Sequence, residues 1–314
     1  MEADLTIAQH GEFNLLDAII ELSETSRNVV IGPGDDAAVL HVQHDNVLVS
    51  TDVLVEGEHF RRDWSTAAQI GRKAAAVNLS DIGAMGGVAD ALTVGFAAPG
   101  NVPVSWVVDM TRGFLEECGL VGAQMVGGDV TAAEQIVISV TAIGHAQTTV
   151  TRGGARAGDV LAVAGQLGLS GAGFAALSRG FRSPRAAVEA HQVPEPPYPA
   201  GPQAAALGAT SMIDVSDGLV ADVSHLSAQS KAAIDIDTAR LPIPETVSTV
   251  AEALGVDPLR YLLSGGEDYA LAATFGRNVE LPDEWTVIGD VLNGTGVTVD
   301  GREWEDVSGF QHWR

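Results

Sequence analysis

A turn-rich joint over residues 152–159 interrupts the run of strand and helix patterns about halfway along the chain, and the pattern restarts after it. With 314 residues, the chain is at the size where single hydrophobic cores stop growing and split. Two domains are therefore expected, one over 1–149 and one over 150–314. In the first, β-branched and apolar runs predict strands over 28–42, 46–55, 88–96, 123–126 and 136–143. An alanine-rich segment over 67–85 and an amphipathic one over 104–118 predict helices, the second ended by Gly119. In the second half, strands are expected over 160–164, 211–215, 233–237, 268–275 and 285–289. Helices are expected over 171–179, 202–207 and 218–229. This order mixes hairpin-like pairs with crossovers, so the fold class is α+β or mixed α/β. Pro194, Pro196, Pro197, Pro199 and Pro202 crowd one stretch that suits neither helix nor central strand. It reads either as a stiff connector or as a lid.

Charge narrows the partners. Forty-one acidic residues against 17 basic ones give a net charge of −24, and only Lys73 and Lys231 are lysines. Such a field repels duplex nucleic acid and anionic membranes, so neither is expected as a partner. No stretch reaches the roughly 18 to 20 apolar residues that span a bilayer. The acidic start, Met1-Glu2-Ala3-Asp4, lacks a basic region followed by an apolar one, so no signal peptide is expected. The single cysteine, Cys118, admits no internal disulfide and suits a reducing cytoplasm; its helical context reads as a small buried hydrophobe.

Five segments carry acids where solvation does not account for them: Gly34-Asp35-Asp36, Ser50-Thr51-Asp52, Asn78-Leu79-Ser80-Asp81, Gly127-Gly128-Asp129 and Asp214-Val215-Ser216-Asp217. Taken singly, an Asp at a strand end is as well read as a turn former or helix cap, and Asp217 as the cap of the helix starting at Gly218. Together they exceed what two lysines and scattered arginines neutralise. Mg²⁺, which takes oxygen ligands and bridges carboxylates to substrate phosphates, is the economical counter-charge. The Gly-x-x-x-x-Gly-Lys phosphate loop is absent. Gly165-Gln166-Leu167-Gly168-Leu169-Ser170-Gly171 opens a predicted helix and reads either as an anion cradle or as a tight strand-to-helix turn. The eight histidines are scattered, with no zinc spacing and no nucleophile elbow.

The five acid segments, with Val55-Glu56-Gly57-Glu58-His59-Phe60 and Ser264-Gly265-Gly266-Glu267-Asp268-Tyr269, resemble the thiamine-monophosphate kinase family of the aminoimidazole ribonucleotide synthetase and selenophosphate synthetase superfamily. The likeness runs from Gly11-Glu12-Phe13 to Gly309-Phe310-Gln311-His312-Trp313. It implies ATP-dependent phosphorylation of thiamine monophosphate to thiamine diphosphate by direct transfer. It also implies Mg²⁺ ligands at Asp36, Ser50, Thr51, Asp52, Asp81, Asp129 and Asp214, with Asp217 holding a further ion. Of these, Asp52, Asp81, Asp129 and Asp214 are the catalytic acids. Gly128, Asp129, Arg152 and Ser216 would contact ATP, and His59, Glu267 and Phe310 would hold the acceptor; His59 reads alternatively as a core histidine. The resemblance implies a homodimer in which the N-terminal mixed sheets build a shared β-barrel. A sandwich-like C-terminal domain would complete the nucleotide and substrate site. Pro33, Val130 and Phe310 depart from the family's usual residues without removing a carboxylate. Other readings are a superfamily enzyme with a different acceptor and a non-catalytic sensor of nucleotide or thiamine phosphate.

Overall fold

A computed structural model describes residues 5–22, 29–31, 39–41 and 46–305. The chain separates into two compact units, Met1–Ile82 with Val88–Gln147, and Gly83–Gly87 with Thr148–Arg314. In the first, α1 (Ile7–His10) and α2 (Glu12–Ile20) precede β1 (Val29–Ile31) and β2 (Val39–Leu40). These are followed by β3 (Val47–Val55), α3 (Ala67–Ala84), β4 (Val88–Ala98), α4 (Val104–Val121), β5 (Gln124–Ala132) and β6 (Val137–His145). The single strand expected over 28–42 is instead two short strands that pair antiparallel, Val29 opposite Leu40. The Gly32-Pro33-Gly34 punctuation between them agrees with that interruption.

The main sheet of this unit has the order β3-β6-β4-β5, with β4 and β5 parallel and the other pairs antiparallel. Alternation along β3 buries Leu48 and Leu54 and exposes Val47, Val49 and Val53, since successive side chains point to opposite faces. The buried face continues through Ile138, Val140 and Ala142 of β6, while α3 contributes Ile70 and Val77 to the core and α4 contributes Val107 and Phe114. The two helices cross at van der Waals distance through glycines. A Cβ on Gly71 would lie 1.8 Å from the Met110 carbonyl oxygen, and one on Gly113 2.0 Å from that of Ala68.

The second unit runs β7 (Asp159–Ala164), α5 (Leu169–Leu177), α6 (Arg185–Gln192), α7 (Ala200–Leu207), β8 (Ser211–Val215), α8 (Leu219–Ser230) and β9 (Ala233–Ile236). A 3₁₀ turn (Thr238–Arg240), α9 (Glu245–Leu254), α10 (Leu259–Ser264), β10 (Ala270–Gly276), β11 (Trp285–Leu292) and β12 (Gly296–Val299) complete it. Its sheet has the order β12-β9-β11-β7-β10-β8. Every residue of β7 and β8 is buried, which marks a sheet covered on both faces. Leu161 and Val163 enter one core with Ile213, Val223 and Leu262, while Val160, Ala162 and Ala164 enter another with Ala200, Ala204 and Phe275.

The proline stretch leads into α7, which starts at Ala200, two residues earlier than expected. Pro202 sits in its first turn, where no intrahelical N–H partner is lost. Helices α1, α2, α6, α9 and α10 and strand β12 carry no expectation from the sequence. Both units are mixed α/β structures. No helix among the described residues is long and apolar enough to cross a membrane.

Candidate active site

Two of the predicted acids of the first unit, Asp52 on β3 and Asp81 on α3, meet. Ser50 and Asp52 lie on the buried face of β3 between Leu48 and Leu54. Asn78, wholly buried on α3, accepts a hydrogen bond from the Asp52 amide at 3.1 Å and donates to the Ala74 carbonyl at 3.0 Å. That bridge ties the middle of the strand to the helix. One helical turn on, Asp81 accepts a short hydrogen bond from the Ser50 hydroxyl and meets the Asp52 carboxyl. Burial first, then the charge and hydrogen bond of Asp81, push the Asp52 carboxyl up to about 6. Two carboxylates held this close, with a hydroxyl beside them, form an oxygen-only donor set short of positive charge. Among the described residues, no three Asp, Glu, His or Cys side chains converge into a ready-made cage. Such a set suits a hard cation that keeps water and phosphate oxygens in its shell.

Other predicted residues of this unit fall elsewhere. Thr51 lies on the opposite, open face of β3, where its hydroxyl meets that of Thr141 at 2.8 Å. Strand β5 does not stop at Val126 but runs to Ala132, so Asp129 lies inside a strand, not past its end. It stands in register with Gly95 and Ser139, and with Thr51 it belongs to the open side of the sheet. Gly128 takes a place no side chain fits, since a Cβ there would sit 2.1 Å from the Val94 carbonyl oxygen. His59 closes a turn after β3. Its Nδ1 accepts from the Val55 amide at 3.1 Å, and its carbonyl accepts from the buried Lys73 ammonium at 2.9 Å. Asp36 and Phe310 lie outside the described residues.

In the second unit Asp214 is 5% exposed near the end of β8, and Ser216 and Asp217 follow it. Asp217 is not the cap of α8, whose N-cap is Gly218 without a side-chain bond. Asp222, from the first turn of the helix, reaches back to accept from the Asp217 and Gly218 amides at 3.0 and 3.1 Å. Burial, with the charges of Asp214 and Asp217, pushes its carboxyl up to about 7. Arg152 is exposed, and its carbonyl accepts from Ser230 Oγ at 3.3 Å.

The glycine-rich loop before α5 receives an internal carboxyl group. Asp268 accepts from the Gly168 and Ser170 amides at 2.6 and 3.1 Å, so the loop is a tight strand-to-helix turn whose amides are already used. Burial pushes the Asp268 carboxyl up to about 7 against the pull of those two bonds. On either side of it Glu267 and Tyr269 hold left-handed backbones, φ 63° and 52°, which side chains adopt only under constraint. The constraint is visible: the Glu267 amide donates to the Ser216 carbonyl at 2.7 Å and the Tyr269 amide to that of Val215 at 2.8 Å. His191 Nδ1 lies 3.2 Å from Glu267 Oε2. Neither His191 nor Asp222 stood out in the sequence. Asp222 follows Asp217 by five residues, a faint signal, whereas His191 is 76 residues from Glu267 and carries none.

The family models that match describe AIR synthase related proteins, the N-terminal domain over residues 34–146 and the C-terminal domain over 156–302. The thiamine-monophosphate kinase of Mycobacterium tuberculosis is 46% identical over 310 residues, covering 98% of this chain and 92% of that one. That of Aquifex aeolicus is 35% identical over 314 residues, covering 98% and 100%. A structure of AaThiL complexed with AMPPCP and TMP superposes with a TM-score of 0.83 at 35% identity, covering 97% of each chain. E. coli HypE, a hydrogenase maturation protein, shares the fold at a TM-score of 0.70 and 21% identity. At such identities, and over nearly the whole length, the chain belongs to the thiamine-monophosphate kinase family.

Proposed function

We propose that the protein uses ATP to phosphorylate thiamine monophosphate to thiamine diphosphate, in one in-line transfer that depends on Mg²⁺ and ends thiamine diphosphate synthesis. The observation that carries the Mg²⁺ dependence is the contact of Asp52 with Asp81 beside the Ser50 hydroxyl, in a family whose AaThiL member is seen with AMPPCP and TMP. Bound Mg²⁺ supplies charge neutralisation between two phosphate groups that otherwise repel. Ser50, Asp52 and Asp81 form the nucleus of the set that would hold it; the family resemblance adds Asp36, Thr51, Asp129, Asp214 and Asp217, of which Thr51 and Asp129 stand on the opposite face of the sheet from Asp52 and would serve a separate ion. Gly128, Asp129, Arg152 and Ser216 meet ATP, Arg152 by offering its planar fork to phosphate oxygens. His59, Glu267 and Phe310 hold the acceptor. The attacking phosphate oxygen is ionised at neutral pH, so the residues position and neutralise without a strong general base.

The same reading includes a homodimer. Val47, Val49, Val53 and Val88 stand exposed on the open face of the four-stranded sheet, Val49 at 65%. Exposed valines on such a face favour a partner sheet, and a second copy closing it into a shared β-barrel is the occupant this reading assigns. The single thiol and the use of ATP support a cytoplasmic reaction.

The test is incubation of the purified protein with Mg²⁺, ATP and thiamine monophosphate, following thiamine diphosphate and ADP by chromatography. Equal yields of both are expected. Chelation of Mg²⁺ abolishes them, and Asp52→Asn lowers turnover by about 100-fold or more. ATP that binds but stays intact with this acceptor would favour a sensor instead.

A further inference from the structure

Glu267 is an acid at a loop tip, and its surroundings restrain it far more than an exposed acid requires. Three separate anchors fix the main chain around it: its own amide on Ser216, that of Tyr269 on Val215, and the Asp268 carboxylate across the start of α5. The side chain is 28% exposed. His191 restrains it from α6. Its side chain is 10% exposed and its Nδ1 sits 3.2 Å from Glu267 Oε2. The ring is itself held, with Ser170 Oγ 3.1 Å from the same nitrogen and the half-exposed Phe174 ring centred 5.5 Å away.

The arrangement resembles a Ser-His-acid relay but is not one. A relay needs the hydroxyl and the carboxylate on opposite ring nitrogens, and here both approach Nδ1. A carboxylate only accepts, so a bond to Glu267 requires the proton on Nδ1, with Ser170 Oγ then a second acceptor beside it. The ring therefore orients an acid and moves no proton to a nucleophile.

We propose that His191 is a positioning residue for acceptor recognition, fixing through Nδ1 the Glu267 carboxylate that meets thiamine monophosphate. This rests on the kinase reading above, in which Glu267 faces the acceptor. An acceptor carrying a cationic ring gains from a carboxylate whose direction is set before binding, because no side-chain freedom is then lost on association. ATP, met by other residues, gains nothing from it.

The experiment compares steady-state constants of the full-length wild-type protein with His191→Leu, His191→Asn, Glu267→Gln and the His191→Leu/Glu267→Gln pair. In His191→Leu the KM for thiamine monophosphate rises about tenfold while that for ATP stays within about twofold. His191→Asn, which returns an N–H near the Nδ1 position, recovers most of the loss. In the double variant the His191 change adds nothing to that of Glu267, because the two act as one unit. An unchanged acceptor KM in His191→Leu, or equal rises for both substrates, overturns the proposal. Should His191→Leu not fold, the comparison of His191→Asn with Glu267→Gln decides: an acceptor KM in His191→Asn as high as in Glu267→Gln is the overturning result. The wild type separates the two levels. If it makes no thiamine diphosphate, the kinase reading fails and this inference with it; if it does and the variants match it, the inference alone fails.

Discussion

Asp268 shows how one residue serves several needs at once. It is buried, accepts from two amides at the start of α5, and sits between two residues forced into left-handed backbone. Its carboxyl is raised to about 7 in the folded protein, with burial the largest cause, whereas an unfolded Asp titrates near 3.9. Between about pH 4 and pH 7 the folded state therefore holds more proton than the unfolded state, and this group's share of stability falls as pH rises through that window. Replacing it by Asn removes the titration but also weakens one amide bond. The stability gap between wild type and Asp268→Asn should accordingly be larger at pH 5 than at pH 8, by an amount on the order of a few kcal/mol. Urea denaturation of both proteins at the two pH values measures it; a gap independent of pH would mean that Asp268 is ionised throughout.

At the scale of elements, the position of the Asp52–Asp81 pair depends on how closely α3 approaches its neighbours. The helix crosses α4 with Gly71 against Met110 and Gly113 against Ala68, distances that leave no room for a methyl group. It is tied to β3 by Asn78. Gly113→Ala must therefore push the helices apart, since backbone cannot give way as a flexible side chain would. The expected cost is roughly 2 kcal/mol or more, read as a lower midpoint in thermal or urea unfolding. Gly119→Ala, where nothing lies within 4 Å of the added carbon, is the matched control and should leave the midpoint unchanged or slightly higher.

For the whole molecule, the open face of the first unit is the feature an isolated chain leaves unexplained. Its valines occupy alternate positions of an edge strand, and period-two alternation would normally place polar residues there. If a second copy covers this face, Val49→Asp should shift the protein from dimer to monomer in light scattering and lower its thermal midpoint. A wild type that is monomeric at micromolar concentration, or a variant that stays dimeric, would rule that arrangement out.

Much of this was legible in order along the chain. The strands and helices with strong periodicity and the acid-bearing motifs are local patterns, set by side-chain chemistry and spacing over a few residues. What the sequence left open is which face a residue takes and what lies opposite it. Thr51 and Asp52 are adjacent, yet the pleat sends one to Thr141 and the other to Asp81. Strand β5 runs through Gly127-Gly128, where the neighbouring strand leaves room for nothing larger than the glycine at 128. The loop before α5 carries the pattern of an anion cradle, and only the fold supplies Asp268, 100 residues away from Gly168, to fill it. The same holds for His191 and Glu267. Local chemistry determines which groups a chain can offer; which of them meet depends on long-range packing, where residues far apart in sequence share one small, water-poor space.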